Sequence, residues 1–429
     1  MVTQLRLQMT ARARLALMFA AAGLGLACVL MLAASMAGAS TAWHHPGGHH
    51  HPRGTVYTET NDPAGNKVVV FDRFRNGKLV KRQAVATGGL GSTQSVGCGP
   101  GCPILDSQNA VVVSDNEKLV FAINAGSDTV SSFRETHYGL QLVSQKPSGG
   151  DMPESLALHG DVLYVLNVAT ANSSGTFGNI YGYRVSSNGQ LTPIGSSQPL
   201  PDASLPDHSG DARAIGFKPN GKVLVVTELS GGFPFSMGPP GKIVTFVVGS
   251  HGQAAPGVSH PSSDLLPFGF AFDSNSHLVV SNIHDLTPHA IGSVSSYEVS
   301  NSGNVTPINT VSSGGALPCW VSISKDGKYA YVVNTGAGDP AVTTRFRLGH
   351  NGTLTPEGAP AGHAGDFAQT DIDQSRGSRY VYVLAPSVGP GPPSHIDIWR
   401  RHHNGSLTYI GSTAPDPDMG VGVTGLAAR

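Results

Sequence analysis

Charge is what this chain has least of. Only 13% of its residues are Asp, Glu, Lys or Arg, and its 27 basic and 28 acidic side chains cancel to a net charge of −1. That is about half the charged share of an ordinary soluble protein. No basic stripe exists to neutralise phosphates, which takes nucleic acid off the list of expected partners. No acidic tail is present either. Cysteine is also scarce, with four residues at 28, 98, 102 and 319. Two close thiols without a second ligand pair are weak support for a zinc site, and no metal and no cofactor is assigned.

Long apolar runs are confined to one place. Arg6, Arg12 and Arg14 precede an uncharged Ala/Leu-rich stretch from Leu15 to Ala39 that ends in Ala37-Gly38-Ala39. A charged start, an apolar stretch and a small-residue end make a secretory signal over residues 1–39. The stretch is also long enough to span a bilayer, so an uncleaved N-terminal anchor is the competing reading and the only expected link to a membrane. Lipid attachment at Cys28 is disfavoured by Gly25. Either way the expected location is secreted or cell-envelope associated, where a local Cys98–Cys102 disulfide would persist. Cys319, beside Trp320 at the start of an apolar strand, reads as a buried small hydrophobe. Residues 40–53 are a linker with five histidines between His44 and His51. Its Pro/Gly spacing suits a disordered tether better than a metal site.

What is abundant is turn chemistry. Gly and Pro supply 55 and 30 residues. They punctuate a recurring unit whose clearest copy is residues 321–334, VSISKDGKYAYVVN. Val321 and Ile323 alternate with serines, Asp326-Gly327 reverses the chain, and Tyr329, Tyr331 and Val333 alternate on the return. Period-two alternation across an Asp-Gly turn predicts a β-hairpin. Variants occupy 111–124, 156–167, 215–228, 270–282 and 370–384. A second hairpin follows most copies, turning at Asn76-Gly77, Asn188-Gly189, Ser302-Gly303, Asn351-Gly352 and Asn404-Gly405. A two-residue loop with both positions at positive φ is expected there. The Asn-x-Ser/Thr triplets at these turns are read as turn chemistry first and glycosylation acceptors second.

Two hairpins make four strands per unit. Second strands begin at Val56, Leu119, Val162, Val223, Leu278, Tyr329 and Tyr380, which makes seven units. Four-stranded units of this length predict an all-β fold, a seven-bladed β-propeller of antiparallel blades over residues 54–429. The first unit lacks a first strand, and residues 420–428 have the form of a first strand without a second. The expected closure pairs this C-terminal strand with the first blade.

The pattern of Pro318, a short apolar strand, Ser324-Lys-Asp326-Gly327 and Tyr331-Val-Val-Asn334 resembles the repeat of the seven-bladed lactonase propellers. That family includes 6-phosphogluconolactonase-like and 3-carboxymuconate-cyclase-like proteins. The likeness covers about 54–429 and is nearest to a secreted actinobacterial-type branch, through Ala122-Ile-Asn-Ala-Gly-Ser127, Pro267-Phe-Gly-Phe-Ala-Phe-Asp273 and Cys319-Trp-Val321. It implies a hydrolase or cyclase acting on a small lactone or sugar acid, and a monomer is expected.

Aligned repeats place Glu154, Arg213, Phe268 and Cys319 in one column at the start of the first strands, ringing the channel mouth. A second column, ending the second strands, reads Asn124, Asn167, Glu228, Asn282 and Asn334. Its exception is an acid. Val226-Thr-Glu228-Leu229 is similar to the Asn-Glu-Leu of 6-phosphogluconolactonase-type members, and Arg213 falls where they place an arginine. The candidate catalytic set is therefore Glu228 as general base, Arg213 as anion or oxyanion holder and His208 as acid. Glu154, Asn167, Asn282 and His284 are candidate substrate contacts. One departure weakens the set: the family's Pro-His is here Pro153-Glu154, Pro267-Phe268 and Pro318-Cys319, so His208 would have to act from a loop. Against the catalytic reading, Arg213 and Glu228 can be a salt bridge closing the mouth, His208 a solvated loop side chain, His284-Asp285 a turn, and Trp320 packing between blades. A non-catalytic propeller binding a ligand or an envelope protein is the alternative function.

Overall fold

A computed structural model of the chain describes residues 51–92, 105, 107–168, 178–201, 212–229, 241–284, 287, 289–336, 339–363, 366, 368–387 and 392–429. Every regular element among them is a β-strand. The signal or anchor segment, most of the histidine tether, Cys98, Cys102 and His208 lie outside the described residues. Among the described residues no helix is long and apolar enough to cross a membrane.

The strands form seven four-stranded antiparallel sheets. Blade 1 contains β1 (Gly54–Glu59), β2 (Lys67–Arg73) and β3 (Leu79–Ala86), and blade 2 contains β4 (Val111–Val113), β5 (Leu119–Asn124), β6 (Thr129–Thr136) and β7 (Gly139–Pro147). Blade 3 is β8 (Pro153–His159), β9 (Val162–Asn167), β10 (Asn179–Val185) and β11 (Leu191–Pro199). Blade 4 is β12 (Ala212–Phe217), β13 (Val223–Glu228), β14 (Lys242–Val247) and β15 (Val258–Pro261). Blade 5 is β16 (Pro267–Phe272), β17 (His277–Asn282), β18 (Ile291–Val299) and β19 (Val305–Ala316). Blade 6 is β20 (Pro318–Ile323), β21 (Tyr329–Asn334), β22 (Val342–Leu348) and β23 (Leu354–Pro356). Blade 7 is β24 (Thr370–Gln374), β25 (Tyr380–Ala385), β26 (His395–Arg401) and β27 (Leu407–Ser412), and β28 (Thr424–Ala428) returns to blade 1. There β28 pairs with β1 through Val56 opposite Ala428 and Glu59 opposite Thr424, the closure the two incomplete ends called for.

Second strands carry the core. β5, β13, β21 and β25 are buried along their whole length because a neighbouring blade covers each face. That is why they read as continuous apolar runs while first strands alternate. Phe121, Leu156, Tyr164, Ile215 and Phe246 belong to one buried cluster spanning blades 2 to 4.

The outer turns differ from the two-residue form. At Asn76-Gly77 only the glycine has positive φ, at 87°. Gly77 N–H donates to Phe74 C=O, and Phe74 N–H donates to Lys78 C=O. This is a type I turn followed by a glycine bulge, and the same two bonds recur at Gly189, Gly303, Gly352 and Gly405. Asn76 instead uses its side-chain oxygen, which accepts Lys78 N–H at 3.1 Å.

Those turns are docking points, because every blade holds the outer hairpin of the next. Tyr164, Tyr331 and Tyr382 donate their hydroxyls to Gly252, Gly405 and Gly77 C=O at 2.7, 2.7 and 3.0 Å. Ser132 and Thr245 do the same to Gly189 and Gly303 at 2.6 and 2.8 Å. At the two remaining junctions a carboxamide grips the backbone at two points, Gln83 on Leu140 and Asn309 on Leu354. Tyr382 to Gly77 joins blade 7 to blade 1, so the ring is closed by side chains as well as by β28.

Residues 105 and 107–109 bond to the innermost strands of four blades. Thr424 Oγ1 donates to Leu105 C=O, and Ser107 Oγ donates to Glu154 C=O. Asn109 Nδ2 donates to Ile215 C=O, Gln108 Nε2 donates to Val321 C=O at 2.8 Å, and Trp320 Nε1 donates to Ser107 C=O at 2.9 Å. Blade 5 makes room by sequence: a Cβ on Gly269 would sit 2.4 Å from Gln108 Oε1.

Candidate functional site

Besides β28, which bulges between Thr424 and Ala427, five first strands carry a β-bulge near their start, at Pro153/Ser155, Ala212/Ala214, Pro267/Phe270, Pro318/Trp320 and Thr370/Ile372. The residues inserted are Glu154, Arg213, Phe268 with Gly269, Cys319 and Asp371. A bulge turns a side chain out of the alternating pattern, which is how one column gathers at one end of the ring. The first four are the column expected from the repeat. Asp371 joins them unannounced because no proline marks its strand.

Arg213 is 1% exposed, and its Nη1 lies 3.6 Å from Oε2 of Glu154, which is fully buried. The pair bridges adjacent blades 3 and 4, and Glu154, expected only as a substrate contact, is the acid that meets this guanidinium. Arg213 Nη1 also donates to Ala212 C=O at 3.1 Å. A buried guanidinium is tolerated only when paired, so this contact is integral to the fold as well as to any site. Glu228, 6% exposed, ends β13 between Ala212 on β12 and Lys242 on β14. Glu154 and Arg213 thus meet where blades 3 and 4 adjoin, and Glu228 ends the strand beside Ala212. A guanidinium there can hold a carboxylate or a developing oxyanion, and a carboxylate can take a proton from water.

The other expected contacts separate. Asn282 is fully buried and its Nδ2 donates to Ser293 and Ser295 at 3.1 and 2.9 Å. Asn167, equally buried, donates to Ser148 C=O at 3.1 Å. Asn124 and Asn334 use their amides alike, on Ser131 and Thr344. This column ties second strands to their surroundings through the side-chain amides of Asn167 and Asn282 among others. His284 is more than half exposed, with Nδ1 4.0 Å from Asp264 Oδ1. Trp320 packs edge-to-face on Phe268 with ring centroids 5.5 Å apart.

One constellation was not anticipated at all. His363, Asp366, His395 and Asp397 bring one ligand atom each within 4.8 Å of one another. Asp366 and Asp397 side chains are fully buried and that of His395 is 8% exposed. Burial opposes charge on each. Against it, the Asp366 and Asp397 carboxylates hold His395 up at about 10. Burial also works to raise Asp366, but His395 prevails and draws it below the usual carboxylate range. Asp397 is raised by burial and by its like-charged neighbour. The available signal was His395-Ile-Asp397, two ligand types two residues apart and so on one face of a strand. The second half, His363 and Asp366, comes from a loop whose approach no local pattern encodes.

The family model described as Lactonase, 7-bladed beta-propeller matches residues 284–380. No curated protein matches the chain. Among solved structures, the periplasmic gluconolactonase of Pseudomonas aeruginosa superposes with a TM-score of 0.61 at 17% identity, covering 87% of this chain and 98% of that one. A protein assigned as a 6-phosphogluconolactonase in Bacteroides uniformis gives 0.60 at 17%, covering 86% and 98%. A functionally unknown protein from Desulfotomaculum acetoxidans gives 0.59 at 14%, covering 87% and 99%. At these identities the likeness speaks for the fold.

Proposed function

Starting from a propeller of the seven-bladed lactonase type, we propose that the mouth between blades 3 and 4 binds a small carboxylated lactone or its open acid and interconverts them by hydrolysis. The observation that carries this reading is the placing of Glu154, Arg213 and Glu228 on adjacent blades, with Arg213 paired to Glu154 and Glu228 opposite Ala212. In a chain this poor in charge, such a grouping is a specific feature. Glu228 takes a proton from water as the hydroxyl oxygen attacks the lactone carbonyl. Arg213 stabilises the oxyanion formed, and the ring C–O bond breaks as its oxygen recovers the proton from Glu228. Glu154 orients Arg213. His208 supplies the leaving-group proton in the variant of this scheme that uses a loop acid. We place the protein outside the cytoplasm on the strength of its leading apolar stretch.

A panel of γ- and δ-lactones, with and without a carboxylate or phosphate substituent, tests the proposal on the purified chain. Turnover is expected on a charged lactone, with Glu228→Gln lowering kcat by about 10²–10⁴-fold. Arg213→Lys is expected to lose turnover as well, because an ammonium cannot reproduce the planar fork. Turnover surviving Glu228→Gln removes the assigned base. No turnover on any lactone moves the weight to the second reading, a binding propeller, which the near-complete burial of Arg213 and Glu154 favours.

A further inference from the structure

We propose that His363, Asp366, His395 and Asp397 form a closed four-ligand site for a divalent transition ion of the zinc class, where blade 6 hands over to blade 7. The spacing is that of a coordination shell. His395 Nε2 lies 3.3 Å from Asp366 Oδ1 and 3.4 Å from Asp397 Oδ1, and His363 Nδ1 lies 3.6 Å from Asp366 Oδ2 and 3.9 Å from Asp397 Oδ1. Ligands held at about 2.0–2.1 Å in a tetrahedron stand roughly 3.3–3.4 Å apart. Small side-chain movements therefore close the shell. Two imidazoles exclude the all-oxygen cages of calcium, and four protein ligands match the closed arrangement of structural zinc.

The atoms aimed inward face one another: His363 Nδ1, Asp366 Oδ1 and His395 Nε2 are buried, make ion-pair contacts within the cluster and complete no geometric hydrogen bond. An imidazolium held between two carboxylates would account for His395 and the aspartates. It leaves His363 Nδ1 pointed at the same centre without a part in that pairing.

The surrounding groups orient the ligands as second shells of metal sites do. His395 Nδ1 is 2.8 Å from Pro393 C=O; donating there fixes the tautomer and turns the Nε2 lone pair inward. Gln369 Nε2 donates to Asp366 Oδ2 and Asp397 Oδ2, both at 3.3 Å, and Ser412 Oγ donates to Asp397 Oδ1 at 3.1 Å. The Tyr409 ring stacks on His363 with centroids 4.4 Å apart. Two ligands lie on the stretch between β23 and β24, and two on β26. Asp366 C=O also accepts Ala341 N–H at the start of blade 6's third strand. The ion would staple the blade 6 to blade 7 connection onto β26, independently of the mouth between blades 3 and 4.

The histidine tether competes for the same ions, so the test uses the full chain with His44, His45, His49, His50 and His51 replaced by serine. After chelator treatment this protein is titrated with Zn²⁺ by calorimetry and with Co²⁺ by visible absorption. The expected result is one ion per chain, the intense absorption of tetrahedral cobalt, and a Tm that climbs with the logarithm of zinc concentration. Gln369→Ala should weaken binding about 10–100-fold, and His395→Gln or Asp366→Asn by more. His363→Gln, at the most exposed ligand, provides the same readout should the buried variants fail to fold. Binding that disappears with the tether histidines, or that is indifferent to His363→Gln and His395→Gln, overturns the site.

Discussion

Removing Thr424 to Arg429 tests the closure of the ring, and its cost can be worked from the contacts of β28. Leu426 is 4% exposed, and burying such a side chain contributes about 1.5–3 kcal/mol. Backbone bonds join Thr55 to Arg429 in both directions, and Thr58 Oγ1 donates to Thr424 C=O. Each such bond contributes about 0.5–1.5 kcal/mol. The larger loss lies in blade 7. Leu426 and Ala428 N–H donate to Asp371 Oδ2 and Asp373 Oδ2, both at 2.7 Å, and deletion removes both donors along with the Arg429–Asp373 ion pair. For the buried Asp371, such an orphaned group costs about 1–3 kcal/mol. The sum is on the order of 10 kcal/mol, comparable with the whole stability of an ordinary domain. Guanidinium denaturation and thermal melting should therefore show a truncated chain that has lost its cooperative transition, and light scattering should show association through the exposed edge of β1. Leu426→Ala provides a graded arm, at about 2–5 kcal/mol. A truncated protein melting within a few degrees of the intact one would refute the argument, since it would mean the ring does not depend on β28.

Tyr331→Phe leaves Gly405 C=O without its donor and should cost about 1–3 kcal/mol by denaturant midpoint, with the m-value unchanged. Burial holds Asp371 up at about 8 despite the N–H groups of Ile372 and Leu426. Because its folded pKa lies above the unfolded value, its contribution is complete below about pH 4 and is lost as pH rises through 8. Denaturant midpoints across that range should fall less steeply for Asp371→Asn than for the parent; parallel curves would show that Asp371 ionises normally. Thiol counting on the exported protein should find Cys98 and Cys102 joined and Cys319, buried at 4% exposure, slow to react until unfolding. Three thiols before reduction would remove the disulfide.

The sequence by itself determined the blade count, the inner hairpins with most of the outer ones, and the closure of the ring. These rest on local alternation and on turn residues, repeated often enough that one clear copy at 321–334 identifies the weaker ones. It also located the column of Glu154, Arg213, Phe268 and Cys319, because the hairpin repeat keeps the register, with a proline marking three of the four starts. Which members of that column meet was decided by tertiary structure: Arg213 lies against Glu154 of the preceding blade, a contact between strands about sixty residues apart. The partners of the asparagine column were decided in the same way, since alternation cannot say whether an amide facing the strand end reaches solvent or the next strand. Residues 107–109 look like an ordinary lead into β4, and only the ring geometry brings them against the inner strands of blades 3, 4 and 6. His363 and Asp366 reach His395 and Asp397 only because blade 7 folds its third strand back against the connection that precedes it, and a juxtaposition made by packing leaves no period in the sequence to read.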